Sequence, residues 1–171
     1  MGEYMINIFL SRPNSLSCEQ EKTIDEIEKL LISRGMAMRT IGTTDFPNVA
    51  PMLAVEQVMN ECAGIIVLGF PQIHVLTGTL KKDTKQQMNI KNKKIPTTWN
   101  HIETTIAFLL KIPMLIIRDE NLDGGVFDVG TTGHFIHTLD LNSQVWIKEQ
   151  KFLQPFNNWH TEVIEHNKKN I

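Results

Sequence analysis

Glu103 is the side chain to which chemistry is most readily assigned. It closes the stretch Pro96, Thr97, Thr98, Trp99, Asn100, His101, Ile102, which combines a helix start, a large aromatic and one conspicuous carboxylate. Pro96 ends an extended approach, Thr97, Thr98 or Asn100 can cap, and Glu103 lies three residues after Asn100, the spacing of a capping box. With residues set at about 100° intervals around the helix, Trp99, Ile102, Ile106, Leu109 and Leu110 form one stripe, and Glu103 falls roughly 65° from its centre. The spacing therefore predicts a partly desolvated carboxylate at the edge of a buried face. Burial there would raise its pKa, and a nearby cation or hydrogen bond would lower it. Capping without chemistry is the alternative role, and the two are compatible. Trp99 reads equally as a core anchor or as a stacking wall beside a bound base.

The other chemically capable side chains are less well placed. Asp119 and Glu120 could form an acid–base pair, but at a strand end they read first as solvated loop residues. His101 faces away from the stripe and reads as a surface histidine. His134 and His137 lie on one strand with different facing and no third ligand at sensible spacing, so no metal site is expected. Cys18 and Cys62 read as ordinary reduced thiols rather than a disulfide or a zinc pair.

Positioning Glu103 falls to a repeating order of strand and helix. Residues 5–10 are a short apolar run followed by a turn through Ser11, Arg12, Pro13, Asn14 and Ser15. Residues 17–34 carry Ile24, Ile27, Leu30 and Leu31 at helical spacing, with Gly35 as the stop. A second strand is expected over 36–41, then a polar loop through Thr43, Thr44 and Asp45, then a helix from Pro51 with Leu53, Val58 or Met59, and Cys62 inward. The runs 64–69 and 114–117 are continuously apolar, as in strands covered on both faces. Residues 134–141 alternate well enough for a last strand, after a turn at Asp123, Gly124 and Gly125. Phe156, Trp159 and Val163 share one face of a closing helix within a terminal segment at 142–171.

Five such strands alternating with helices predict an α/β fold with a mainly parallel sheet, helices on both faces and right-handed crossovers. Ligands in such sheets bind beyond the carboxyl ends of the strands, near the point where strand order reverses. Ser11, Arg12, Asn14, Thr43, Asp45 and Gln72 would lie on that edge, with Trp99, Asn100 and Glu103 brought to it by their helix. Residues 71–95 are the least core-like segment, with Lys81, Lys82, Lys85, Lys91, Lys93 and Lys94. They read as a mobile solvated insertion or as a lid whose lysines suit a phosphate.

The 171 residues, 42% apolar, can build one sizeable core and predict a single domain over 1–171. A formal charge of -2 provides no general basic field, so neither nucleic acid nor a membrane is expected as a partner on net charge, although local patches stay possible. Residues 1–4 lack the start of a secretory signal, and the apolar runs fall far short of the roughly 18 residues of a membrane span. A cytoplasmic protein is expected.

Taken together, the opening strand ending at Ser11, the run Ile65, Ile66, Val67, Leu68, the Trp99-to-Glu103 segment and the run from Pro113 to Ile117 resemble the TIR domain and nucleoside 2-deoxyribosyltransferase families. Trp99 four residues before Glu103 is similar to the TIR pattern of Trp, Cys, two variable residues and Glu, with Asn100 in the cysteine's place. The resemblance implies a flavodoxin-like three-layer sandwich with the key glutamate on the helix after the third strand. For TIR-like proteins it implies cleavage of the nicotinamide–ribose bond of NAD, as substrate rather than cofactor, or protein interaction, with self-association into a homo-oligomer. For the transferases it implies attack on a nucleoside's N-glycosidic bond through a glutamyl intermediate. A carboxylate beside the anomeric carbon stabilises an oxocarbenium-like centre or traps it covalently. Residues 95–98 supply no second acidic group of the kind the transferases carry, which leaves a non-catalytic nucleotide-binding module as the alternative.

Overall fold

The computed structural model describes residues 5–120, 122 and 124–169; residues 1–4 and Asp123, the first residue of the expected turn, lie outside the described residues. The main sheet comprises β1 (Ile6–Ser11), β2 (Met36–Arg39), β3 (Gly64–Gly69), β6 (Met114–Asp119) and β7 (Ile136–Leu139). All its pairings are parallel, in the order β2-β1-β3-β6-β7. Strand order reverses between β1 and β3, which is the switch point of a flavodoxin-like sheet.

The helices α1 (Cys18–Ile32), α2 (Pro51–Asn60), α3 (Thr98–Leu109) and α4 (Gln150–Lys169) lie in two layers, and each layer closes its own core. On one face α1 and α4 bury Ile24, Ile27, Leu31, Phe156, Trp159 and Val163 against Leu10, Ile66 and Leu68. On the other, α2 and α3 bury Val55, Met59 and Ala107 against Phe9, Ile65, Val67 and Ile116. Every residue of β3 is buried, which explains its unbroken apolar run. The chain is thus an α/β three-layer sandwich around a five-stranded parallel sheet. Among the described residues no helix is long and apolar enough to cross a membrane.

Local chemistry starts the elements where expected. Ser17 caps α1 in a reciprocal box with Gln20, and Gly35, at a φ of +71°, turns the chain after the helix. Pro51 stands in the first turn of α2, but the inward residues there are Ala54, Val55, Val58 and Met59, whereas Leu53 is exposed.

Two expectations are corrected. The lysine-rich segment is not an irregular insertion: β4 (Ile73–Leu80) and β5 (Met88–Ile95) form a regular antiparallel hairpin outside the main sheet. Water reaches much of both faces, so no clean alternation of apolar and polar residues marked it as strand. The inward face of α3 is not the Trp99–Leu110 stripe but Asn100, Glu103, Thr104 and Ala107. Leu109 is 72% exposed, while Ile106 packs partly against the core. The first turns of α3 lie over the ends of β1 and β3, where backbone carbonyls and Ser11 need polar partners, so polarity turns inward there.

Candidate functional site at the switch point

Three of the predicted residues come together. Thr97 caps α3 by accepting from the Trp99 backbone N–H at 3.3 Å, which places Asn100 inside the helix rather than at its cap. The Asn100 side chain reaches across the switch point, donating through Nδ2 to Ser11 Oγ at 2.8 Å and to the Leu68 carbonyl at 3.3 Å. Both Ser11 and Asn100 are fully buried. Glu103 sits one turn further along the same face and is 8% exposed, so it is buried outright rather than on an edge. Thr104 is held to the Asn100 carbonyl at 2.6 Å, and Ala107 keeps the next turn close to the sheet.

Burial pushes the Glu103 carboxyl up to about 7, against a hydrogen bond from Ser11 that pulls it down. Ser11, the residue that moderates the carboxyl, is itself held by Asn100 through the 2.8 Å bond. Glu103 Oε2 and Asn100 Oδ1 are buried with no protein hydrogen-bond partner. A carboxyl balanced near neutrality, with an unshared oxygen in a desolvated setting, can act as a nucleophile or charge stabiliser when ionised and as a general acid when protonated.

The remaining candidates are distributed around this centre. Trp99, 40% exposed, stands on the first turn of α3 and is not a core anchor. Arg12 follows Ser11, but its guanidinium donates to Glu21 at 2.7 Å while Nε is buried without a partner. Asn14 is exposed, its amide against Gly42, so the loops after β1 and β2 meet there. Thr43 is exposed, and Asp45 is engaged by Arg39, whose Nε lies 2.9 Å from each carboxylate oxygen. That guanidinium, with help from the Thr44 hydroxyl, holds the Asp45 carboxyl below the usual range. Gln72 is exposed at the hairpin base, its backbone N–H bonded to the Ile95 carbonyl at 2.9 Å.

Two residues behave differently from their sequence reading. Asp119 is buried rather than solvated and accepts the Leu141 backbone N–H at 3.1 Å, which fastens the turn after β7 to the end of β6. Burial raises its carboxyl, partly offset by the Leu141 bond and by Lys94. Glu120 is exposed, so the two do not form an acid–base pair. His101 is a packing residue: its Nδ1 accepts from Val126 at 3.4 Å, its ring meets Phe127 edge-on, and a Cβ on Gly125 would come within 2.5 Å of it. Burial lowers its pKa. Neither contact was legible from spacing, because each joins segments more than 20 residues apart. Among the described residues no group of three metal-ligating side chains converges.

No family model and no curated protein matches the chain. Among solved structures it is similar to that of Clostridium botulinum CMP N-glycosidase, BcmB, with a TM-score of 0.53 and 13% identity, over 90% of this chain and 98% of that one. The likeness is one of fold, extending over nearly the whole of both chains.

Proposed function

We propose that the protein cleaves the N-glycosidic bond of a nucleotide, with Glu103 as the catalytic residue and Ser11 and Asn100 orienting it. The observation that carries this reading is the buried Glu103 carboxyl, its Oε2 without a protein partner, one turn from the Asn100–Ser11 bond at the switch point. The fold likeness to a CMP N-glycosidase supports it.

In the proposed reaction, the bond between the anomeric carbon and the base nitrogen breaks and its electron pair leaves with the base. The Glu103 carboxylate stabilises the positive charge developing at the sugar or forms an ester with it. Water then delivers hydroxide to the anomeric carbon and its second proton balances the departing base, leaving free base and sugar phosphate. Trp99 at the rim is a stacking surface for that base. NAD hydrolysis and transfer of a deoxyribosyl group are variants of the same step in which the leaving group or the acceptor differs.

The test is release of free base from CMP, the other nucleoside monophosphates, NAD and deoxynucleosides, read by chromatography for wild type and Glu103→Gln. Loss of a catalytic carboxylate lowers the rate by about a thousandfold or more. Equal rates in the two proteins overturn the assignment. Calorimetric binding of a nucleotide without turnover identifies a binding module instead, a reading favoured by the engagement of Asp45 and Asp119 in structural contacts.

A further inference from the structure

The net charge of the chain conceals a strong asymmetry. Between residues 71 and 95 stand Lys81, Lys82, Lys85, Lys91, Lys93 and Lys94 against one acid, Asp83. The segment thus carries five net positive charges and the rest of the chain seven net negative ones, which together make the formal -2. Folding concentrates the positive charge on one object, the β4–β5 hairpin. We propose that this hairpin is a binding arm for the phosphate backbone of single-stranded nucleic acid, leading the strand toward the switch point.

The concentration of its lysines separates this arm from the rest of the surface. On the body, Lys22, Lys29 and Lys151 each contact a neighbouring carboxylate, at 2.7, 2.7 and 2.8 Å, and the lysines without an ion pair among the described residues, Lys111, Lys148, Lys168 and Lys169, are spread over three segments rather than gathered on one. On the arm, cross-strand register sets Lys91, Lys93 and Lys94 opposite Thr77, Val75 and His74, none of them acidic. No arm lysine forms an ion pair among the described residues, although Lys94 acts on Asp119 electrostatically. Lysines also protect open strand edges from pairing with other chains. That need does not account for Lys81, Lys82 and Lys85, which lie in the turn region beyond the paired strands, where no ladder is exposed.

Length argues for a polymeric ligand. A strand of eight residues spans about 27 Å at roughly 3.4 Å per residue. Lys93 and Lys94 are near the foot and Lys81, Lys82 and Lys85 at the far end, so a mononucleotide at the foot cannot engage the tip. A polyanion running along the arm meets both groups. The arm leaves the sheet just after β3 and returns just before α3, and Lys94 and Leu122 form a parallel bridge that ties its foot to the loop after β6. Trp99, four residues past β5 and partly exposed, is a surface on which an unpaired base can stack. An unpaired nucleotide is also what an N-glycosidase needs, since the bond is out of reach in a stacked duplex. This last point rests on the reaction proposed for Glu103; the charge argument does not.

The experiment is fluorescence anisotropy of the full chain with a labelled mixed-sequence single strand long enough to span the arm, and with its duplex, from about 50 to about 200 mM salt. With four to five phosphate contacts, log Kobs is expected to fall against log salt with a slope of about -3, at roughly -0.7 per contact. The triple variant K81Q/K82Q/K85Q, confirmed folded by circular dichroism, should bind at least about tenfold more weakly at the lower salt, with a slope shallower by about 2. Wild-type protein that binds the strand without releasing base supports the arm and refutes only the reaction proposed for Glu103. Absence of wild-type binding overturns the proposal, as does an unchanged triple variant or a duplex bound as tightly as the single strand. Salt-reversible self-association without strand binding also overturns it, assigning the arm to the acidic body of a second copy.

Discussion

Asn100 and Ser11, 89 residues apart in the chain, meet at 2.8 Å with both side chains fully buried, one turn of α3 before Glu103. Asn100 donates and Ser11 accepts, while burial raises the Glu103 carboxyl and Ser11 pulls it down. One amide thus bridges β1 and β3 and orients the hydroxyl that moderates the Glu103 carboxyl.

Removing that hydroxyl should move the titration of Glu103. In Ser11→Ala the carboxylate loses its donor while burial persists, so its midpoint rises above the wild-type value of about 7. Carboxyl carbon NMR across a pH titration reads this without any substrate. A midpoint that stays or falls refutes the hydrogen-bond relationship. If the reaction uses the ionised form, the acid limb of kcat/KM shifts in the same direction.

Glu103 should also imprint a pH dependence on stability. Its folded pKa of about 7 exceeds the ordinary glutamate value of 4.5, so between these limits the folded state binds more protons than the unfolded state. Stability therefore falls as pH rises through this window, by at most about 3 kcal/mol at 1.36 kcal/mol per pKa unit. Glu103→Gln lacks this decline. Urea unfolding at pH 5 and pH 8 should show wild type losing stability relative to the variant at the higher pH; parallel behaviour refutes the burial of the carboxyl.

The orientation of α3 is open to a pair of substitutions. Leu109 is mostly exposed and Ala107 fully buried, contrary to the apolar stripe. Leu109→Glu should change stability by only about 0.5 kcal/mol, whereas Ala107→Leu overpacks the core beside Met59 and Ile116 at a cost of about 1–3 kcal/mol. The reverse ranking in thermal denaturation would restore the stripe as the inner face.

Asp45 provides a contrast with Glu103. Its carboxylate is held by Arg39, and its pKa is lowered, so its stabilising contribution is present above the ordinary aspartate value of 3.8 and lost as pH falls through the lowered folded value. Asp45→Asn should reduce thermal stability while leaving KM for any cleaved nucleotide within about twofold, since both carboxylate oxygens are engaged by Arg39 rather than by substrate. A KM raised tenfold with unchanged stability would instead assign Asp45 to substrate binding.

The sequence by itself determined the layered architecture, because continuous apolar runs and helical spacing report burial directly. Residues 64–69 had to be a central strand, and Phe156, Trp159 and Val163 had to face a core. It also pointed to Glu103 as the one carboxylate at the head of α3, although by way of an apolar stripe that the helix turns outward. Only the tertiary structure decided which way α3 turns. Periodicity distinguishes two faces of a helix, but the choice between them depends on what lies beneath, and here that is two strand ends and a serine. The bonds of Asn100 to Ser11 and of Asp119 to Leu141 arise from chain crossings that local spacing does not encode. The hairpin was hidden for a related reason: a ribbon wet on both faces has no buried side to pattern, and its lysines resembled a loop until register aligned them.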